Sequence, residues 1–308
     1  MKALYIIALA TVLLGSCRKR LDDFLFNNDN SISEYKLDNY EGKTTLEVGS
    51  EYAIADSMIH FITYPIVSEG ETLTISAIYV GDLSQIASDT VILYCHGTAD
   101  HNDFYWPRQK LYANLGGKHR FGVLMVDYAG YGLSEGKPTE ANMYESVNGG
   151  LKWLKDNGLT NDRLIQFGFS LGTASTCEVA GNPASFYMTP SKIILEAPFA
   201  SSEVMIQDAG LLALPGSYFV NVKIDNAEEI KKVTVPLLWI HGEADSFLSI
   251  HTHGEIVYNN YNGPSKTAVR VPGGDHEDTP YIMGYSNYLN SRSRKRNPRF
   301  HSTFREHQ

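Results

Sequence analysis

The sequence predicts an α/β fold with a mostly parallel central sheet of about eight strands, flanked by helices. Three observations support this prediction: an antiparallel hairpin pattern, six short apolar runs after it, and helical stretches between several of those runs. Strands that alternate with helices indicate βαβ units, whose crossovers are right-handed. A chain of 308 residues is long enough to bury a substantial core as one domain.

The hairpin comes first along the chain. Met58–Val67 and Thr72–Val80 show apolar alternation on either side of Ser68-Glu69-Gly70-Glu71, a turn that contains glycine. The apolar runs that follow are short and unbroken, which is typical of strands buried on both faces of a parallel sheet. These runs are Val91–Cys95, Phe121–Asp127, Leu164–Phe169, Ile193–Glu196, Leu237–His241 and the weaker Ala268–Val271.

The clearest helix is predicted over Thr139–Asn157. Its apolar residues recur at helical spacing, and Gly158 stands where a C-terminal cap is expected. The recurring residues are Met143, Val147, Leu151 and Leu154.

The N-terminus has the pattern of an export signal. The apolar run Ala3–Gly15 is too short for a comfortable transmembrane helix and has the length of a signal-peptide core. It ends in Leu14-Gly15-Ser16-Cys17, which resembles the lipobox of bacterial lipoproteins. The resemblance implies a lipid on Cys17 and attachment to a bacterial membrane, on the periplasmic face or the cell surface; an ordinary cleaved signal is the alternative. The predicted division is a signal peptide (1–16), a lipidated cysteine and tether (17–45), a folded domain (46–290) and a basic tail (291–308).

Composition excludes several other functions. The formal net charge of −9 argues against nucleic-acid binding, which favours basic faces. Cys95 and Cys177 lie in apolar patterns typical of core residues, so no disulfide framework is predicted. We find no dinucleotide or phosphate loop, and His251-Thr252-His253 has no carboxylate cluster beside it. Neither a cofactor nor a metal is therefore predicted.

A G-x-S-x-G motif spans Gly168-Phe169-Ser170-Leu171-Gly172. It directly follows the predicted strand Leu164–Phe169 and precedes the helix-compatible run Thr173–Ala180. A nucleophile elbow needs this strand–turn–helix placement, with small residues beside a sharp, strained turn. The context therefore predicts that Ser170 is a nucleophile.

Further motifs occur in a fixed order around the elbow. From about His60 to Thr279 the chain resembles a small α/β hydrolase of the branch without a large cap domain, to which depalmitoylase-like and aminopeptidase-like enzymes belong. The segments that carry this resemblance are His96-Gly97-Thr98, Asp127 to Ser134, the elbow, Pro236 to Asp245, and Gly273-Gly274-Asp275-His276.

The resemblance implies a catalytic triad in the order serine, acid, histidine. His276, in a glycine-rich loop after the last strand, is the expected base, since His251 and His253 precede that strand and His241 belongs to a strand-end motif. Asp245 matches the acid position, with Glu243 as the competitor. Asp275 and Glu277 flank the histidine and should point away from its ring.

The resemblance also implies an oxyanion hole. The expected donors are the backbone N–H of Leu171, directly after the nucleophile, and that of Thr98 in the loop after Val91–Cys95. Gly97 lets that backbone approach closely, and His96 is expected to shape the loop.

The expected activity is hydrolysis of an acyl ester or thioester on a small-molecule or acylated substrate. Amide or peptide cleavage by the same triad and a non-catalytic binding lipoprotein are the alternatives. Two sets of apolar residues could line an acyl pocket or equally form ordinary core. They are Phe104, Tyr105 and Trp106 after the oxyanion loop, and Phe199, Met205, Leu211, Leu212, Leu214, Tyr218 and Phe219 in the short insertion between Pro198 and Pro236.

Overall fold

A computed structural model of the protein describes residues 25–115, 121–210 and 221–293. One sheet of eight strands runs through it, in the order β1-β2-β4-β3-β5-β6-β7-β8. The strands are β1 (Ile59–Ser68), β2 (Glu71–Val80), β3 (Thr90–Cys95), β4 (Phe121–Val126), β5 (Leu164–Phe169), β6 (Lys192–Glu196), β7 (Leu237–Gly242) and β8 (Lys266–Val271). β1 and β2 pair antiparallel, as do β2 and β4, and the other neighbouring strands are parallel. The predicted α/β class, hairpin and strand number are confirmed.

Helices cover both faces of the sheet. Within the described residues they are α1 (Asn102–Ala113), α2 (Glu140–Asp156), α3 (Gly172–Gly181), α4 (Ser202–Gly210), α5 (Asn226–Glu229), α6 (Gly254–Asn260), α7 (Thr279–Met283) and α8 (Tyr285–Ser293). The side chains of alternate residues of β3 pack on opposite faces of the sheet. Val91, Leu93 and Cys95 pack with α2 and α3, whereas Ile92 and Tyr94 pack with α1 and α8. A strand buried on both faces is therefore apolar throughout, which explains its unbroken run.

Local signals determine the ends of the predicted elements. Glu69 and Gly70 both have positive φ angles, 49° and 84°, as a tight hairpin turn between right-twisted strands requires. At the end of α2, Gly158 has a φ angle of 89° and donates to the carbonyl of Lys155, while Leu159 donates to that of Leu154. This pair of bonds is the Schellman motif.

Helix α1 was not predicted from the sequence. Nearly all of its residues are buried, including Arg108 and Gln109, so the helix has no polar face to give a helical period. It also contains Pro107. Phe104 and Trp106 belong to the core, and only Tyr105 of the three aromatic residues reaches the cleft described below.

The segment predicted as a tether differs from that expectation where the structure describes it. Residues 25–45 lie against the domain: Leu25 and Phe26 are buried, and the backbone N–H groups of Lys36 and Leu37 donate to the carboxylate of Asp103. The predicted signal peptide, Cys17 and most of the basic tail lie outside the described residues. In the part of the chain that is described, no helix combines the length and apolar character needed to cross a bilayer.

Candidate active site

Ser170 lies on the sharp turn between β5 and α3. Its φ angle is 52°, a left-handed conformation that strains a serine backbone. The backbone N–H of Ser170 donates to the carbonyl oxygen of Glu196 at 3.0 Å, and Oγ1 of Thr173 donates to the carbonyl oxygen of Ser170 at 2.6 Å. Hydrogen bonds on both sides of the residue therefore stabilise the strained turn.

The two glycines of the motif are required by close packing around this turn. A Cβ at Gly172 would lie 2.0 Å from the carbonyl oxygen of Cys95, and one at Gly168 would lie 2.5 Å from the carbonyl oxygen of Gly172. Both distances are far inside van der Waals contact, so β3, β5 and α3 approach this closely only without side chains at 168 and 172. The spacing of the motif has this steric cause.

Three predicted residues meet in one chain of hydrogen bonds. Nε2 of His276 lies 3.0 Å from Oγ of Ser170, and Nδ1 of His276 lies 2.9 Å from Oδ2 of Asp245. An ionised carboxylate can only accept, so Nδ1 carries the proton and Nε2 is left as the acceptor for the serine hydroxyl. This is the tautomer that a general base for Ser170 needs.

Asp245 occupies the acid position, and the competing Glu243 is exposed. Oδ1 of Asp245 accepts from the backbone N–H groups of Phe247 and Leu248, at 3.0 and 2.7 Å. Burial alone raises the pKa of Asp245. Hydrogen bonds from His241, His276 and the Leu248 N–H outweigh burial, so the pKa lies well below its ordinary value. The carboxylate is therefore ionised at neutral pH and ready to orient His276.

His241 is a second imidazole on the same carboxylate. Its Nε2 lies 2.9 Å from the carbonyl oxygen of Leu248 and 3.2 Å from Oδ2 of Asp245, and both of these atoms are acceptors. Its Nδ1 accepts from the indole N–H of Trp239 at 3.4 Å. The proton is therefore on Nε2, facing Asp245. Sequence reasoning gave this residue only a structural role, and the His-Gly motif at the end of β7 was its one signal.

The loop that carries His276 is tied to the loop that carries Asp245. The Asp275 carboxylate accepts from the backbone N–H and hydroxyl of Ser246, and from the N–H of His276. Among the described residues no hydrogen bond or ion pair joins this carboxylate to the His276 ring. Phe169 and Phe247 flank that ring, with centroids 5.3 and 5.0 Å away. Both the backbone and the ring of His276 are thereby restrained.

Thr98 and Leu171, the residues of the two expected oxyanion donors, line the same small recess as Ser170. Leu171 is the residue before α3, and among the described residues neither its backbone N–H nor that of Thr98 has an acceptor. A Cβ at Gly97 would lie 2.8 Å from the Tyr105 hydroxyl, so glycine is needed here too. The buried His96 donates from Nδ1 to the carbonyl of Gly97 at 2.7 Å, which agrees with a role in shaping this loop.

A cleft of about 490 Å³ opens above these residues. It is lined by Lys43, Thr98, Ala99, Tyr105, Phe169, Ser170, Ser246, Phe247, Asp275, His276, Glu277 and Asp278. A separate small recess adjoins Ser170 on the side of Leu171 and is lined by Phe199 and Met205 among others. Of the insertion residues expected at a pocket, these two therefore reach it, and Leu211, Leu212, Leu214, Tyr218 and Phe219 lie outside the described residues.

Known proteins resemble the chain in sequence and in fold. No protein-family model matches it. It is 29% identical over 190 residues to the protein YfhR of Escherichia coli, covering 61% of this chain and 63% of that one. It is 28% identical over 200 residues to the human α/β hydrolase domain-containing protein 17B, covering 64% of this chain and 63% of that protein. The matches therefore span less than two thirds of these relatives.

Solved structures share the architecture over most of the chain. An esterase of Pyrococcus furiosus superposes with a TM-score of 0.62 at 15% identity, covering 87% of this chain and 95% of the esterase. An α/β hydrolase of Vibrio vulnificus gives a TM-score of 0.57 at 20% identity, with 80% and 87% covered. At these identities the likeness demonstrates the α/β-hydrolase fold.

Proposed function

We propose that this chain, which has the α/β-hydrolase fold and sequence relatives named as α/β hydrolases, is a serine hydrolase that cleaves acyl esters or thioesters. The observation that carries the proposal is the pair of hydrogen bonds from Ser170 to His276 and from His276 to Asp245, at 3.0 and 2.9 Å. A serine hydroxyl becomes a competent nucleophile when a base held by a carboxylate accepts its proton.

The proposed reaction has two halves. His276 takes the proton of Ser170 as Oγ attacks the acyl carbon, and the carbonyl electron pair moves onto oxygen, facing the N–H groups of Thr98 and Leu171. Collapse of this intermediate breaks the bond to the alcohol or thiol, which takes the proton from His276, and leaves an acyl-serine. Water then attacks the acyl-serine as His276 accepts its proton. Collapse of the second intermediate breaks the bond to Oγ of Ser170, which takes that proton from His276, and the acid product leaves.

Labelling with a fluorophosphonate probe tests the nucleophile. The wild type should label, and Ser170→Ala should not, because the probe captures only an activated serine. Ser84→Ala is the control, since Ser84 is an exposed serine whose hydroxyl contacts Asp82 and Gln85 away from the cleft, and it should still label. Equal labelling of wild type and Ser170→Ala would contradict the proposal.

The scissile bond is a separate question, because an amide or peptide could be cleaved by the same residues. Among ester, thioester and amide substrates that carry the same acyl group, the ester and the thioester should be hydrolysed faster than the amide. The short insertion fits a branch without a large cap: its described parts form α4, α5 and one 3-10 turn (Ile230–Lys232). A non-catalytic binding lipoprotein would hydrolyse none of the three substrates.

We also propose that residues 1–16 are removed and that Cys17 carries the lipid that holds the domain on a bacterial membrane. The support is the Leu14-Gly15-Ser16-Cys17 sequence after an apolar run. Metabolic labelling with an alkyne fatty acid should mark the wild type and not Cys17→Ser, whereas Cys177→Ser should label like the wild type. Fractionation of the same cells should move Cys17→Ser out of the membrane pellet.

A further inference from the structure

The segment 25–29 runs beside the oxyanion loop. The N–H of Asp100 donates to the carbonyl of Asn27 at 3.0 Å, and the N–H of Asp29 donates to the carbonyl of Asp100 at 3.3 Å. The side chain of Asn28 donates to the carbonyl of Gly130, and the carbonyl of Asp29 accepts from Gly132 at 2.7 Å. These bonds fix the segment between the loop after β3 and the loop after β4.

Thr98 is held from this segment as well. Its hydroxyl donates to the carbonyl oxygen of Leu25 at 2.6 Å and accepts from the backbone N–H of Asn27 at 3.0 Å. Its own carbonyl accepts from the hydroxyl of Tyr131 at 3.1 Å. The residue proposed to supply an oxyanion N–H is therefore positioned by the N-terminal segment on one side and by Tyr131 on the other.

Leu25 is buried close to the nucleophile. It is only 1% exposed, and it lines the small recess beside Ser170. The other lining residues are Thr98, Leu171, Phe199, Met205 and Phe247. The recess has a volume of about 10 Å³, roughly what one water molecule needs, and all but two of its lining side chains are large and apolar. It can therefore receive only a small apolar group without rearrangement.

We infer that Leu25 limits the length of the acyl chain that the enzyme accepts. The recess is the acyl site, and esters of short acyl groups are the preferred substrates. The inference rests on the proposed function, and it assigns a specificity role to a residue that is far in sequence from every motif of the hydrolase. Shortening Leu25 enlarges the recess beside the acyl carbon. Each methylene that becomes buried there should raise kcat/KM for a longer acyl group about fourfold.

The test compares kcat/KM for p-nitrophenyl acetate, butyrate and hexanoate across Leu25→Ala, Leu25→Phe and the wild type. Leu25→Ala should raise the hexanoate-to-acetate ratio about tenfold, and Leu25→Phe should lower the butyrate-to-acetate ratio. Because each ratio is measured on one preparation, the fraction of folded enzyme cancels. Leu46→Ala is the matched control: Leu46 is buried but packs in the opposite layer of the core, and its ratios should equal those of the wild type.

Two outcomes would overturn this inference while leaving the hydrolase proposal intact. One is an active Leu25→Ala enzyme whose hexanoate-to-acetate ratio stays within about twofold of the wild type. The other is a rise of about tenfold in the hexanoate-to-acetate ratio of Leu46→Ala as well. A wild type that hydrolyses none of the esters and fails to label at Ser170 would instead remove both proposals together.

Discussion

Arg108 and Glu196 form an ion pair that is completely buried beneath the loop carrying His276, with Nη1 3.1 Å from Oε1. Nη2 of Arg108 donates to the carbonyl of Glu277 at 2.7 Å, and the guanidinium lies 4.1 Å from the centroid of Phe169. Glu196 also accepts from the hydroxyls of Thr279 and Tyr288. The pair therefore joins α1, the end of β6 and the segment that follows His276.

Replacing Arg108 with methionine should destabilise the fold severely. Glu196 would lose its ion pair with Arg108, and removing one partner of a buried ion pair costs about 3–5 kcal/mol. The double variant Arg108→Met/Glu196→Gln should recover part of the loss, because its glutamine carries no buried charge. Urea unfolding of the single and double variants measures both effects. A loss below about 1 kcal/mol in Arg108→Met would contradict this reading.

His241 should be a positioning residue for Asp245. Its Nε2–H faces Oδ2 of Asp245 at 3.2 Å, so His241→Ala removes one of the groups that lower the pKa of that carboxylate and fix its orientation. We expect kcat to fall about tenfold with little change in KM, since a misoriented base affects the transition state most.

His251→Ala is the control for His241→Ala. His251 is exposed, and among the described residues its side chain hydrogen-bonds only to Glu255, so the kcat of His251→Ala should match that of the wild type. Active-site titration with the fluorophosphonate probe normalises for folded enzyme. If His241→Ala retains full kcat, the contact with Asp245 has no catalytic consequence.

The order of the motifs was enough to predict which residues converge. Parallel strands carry their C-terminal ends to one edge of a sheet, so the loops after β3, β5, β7 and β8 had to meet there. Ser170, His276 and Asp245 each follow one of those strands. A helix or strand with one apolar face is likewise visible in sequence, and α2 was predicted to within a residue at each end.

Pairings between residues far apart in sequence left no such signal. Arg108 and Glu196 are 88 positions apart, and neither belongs to a motif. Residues 25–45 contain enough polar side chains to resemble a solvated tether. Their attachment depends largely on backbone hydrogen bonds and on Leu25 and Phe26. Neither feature produces a periodic pattern of apolar residues in the sequence.

Stability should fall as the pH is lowered from about 6.5 to about 4, and His253 should be one cause. Burial lowers the pKa of His253 to about 4, and nearby His241 and His276 add to the lowering. Asp208, whose Oδ2 lies 3.4 Å from Nε2, and Asp245 act in the opposite direction but are outweighed. Between these pH values the unfolded chain binds a proton on this residue that the folded chain does not. Unfolding is therefore favoured as pH falls, by on the order of 3 kcal/mol at most.

His253→Asn isolates this contribution. Asparagine keeps an acceptor for the N–H of Ala200, which donates to Nδ1 of His253 at 3.1 Å, but it does not titrate. The free energy of unfolding, measured in urea at pH 7 and pH 4.5, should drop less in His253→Asn than in the wild type. Equal drops in the two proteins would show that His253 does not contribute.

The proposed anchor leads to a prediction about where the enzyme acts. Only eight peptide steps separate Cys17 from Leu25, and a fully extended chain advances at most about 3.6 Å per residue. A lipid on Cys17 would therefore hold the Ser170 recess within about 29 Å of its attachment point. Acetate esters of long-chain alcohols, embedded in vesicles that also carry the lipidated protein, should be hydrolysed faster by the wild type than by Cys17→Ser, while both proteins hydrolyse water-soluble acetate esters equally. Inserting about twenty Gly/Ser residues after position 24 keeps the anchor but enlarges the volume that the domain explores, and should reduce the advantage on embedded esters. If the insertion leaves that advantage unchanged, the short distance between anchor and active site is not what directs the enzyme to membrane substrates.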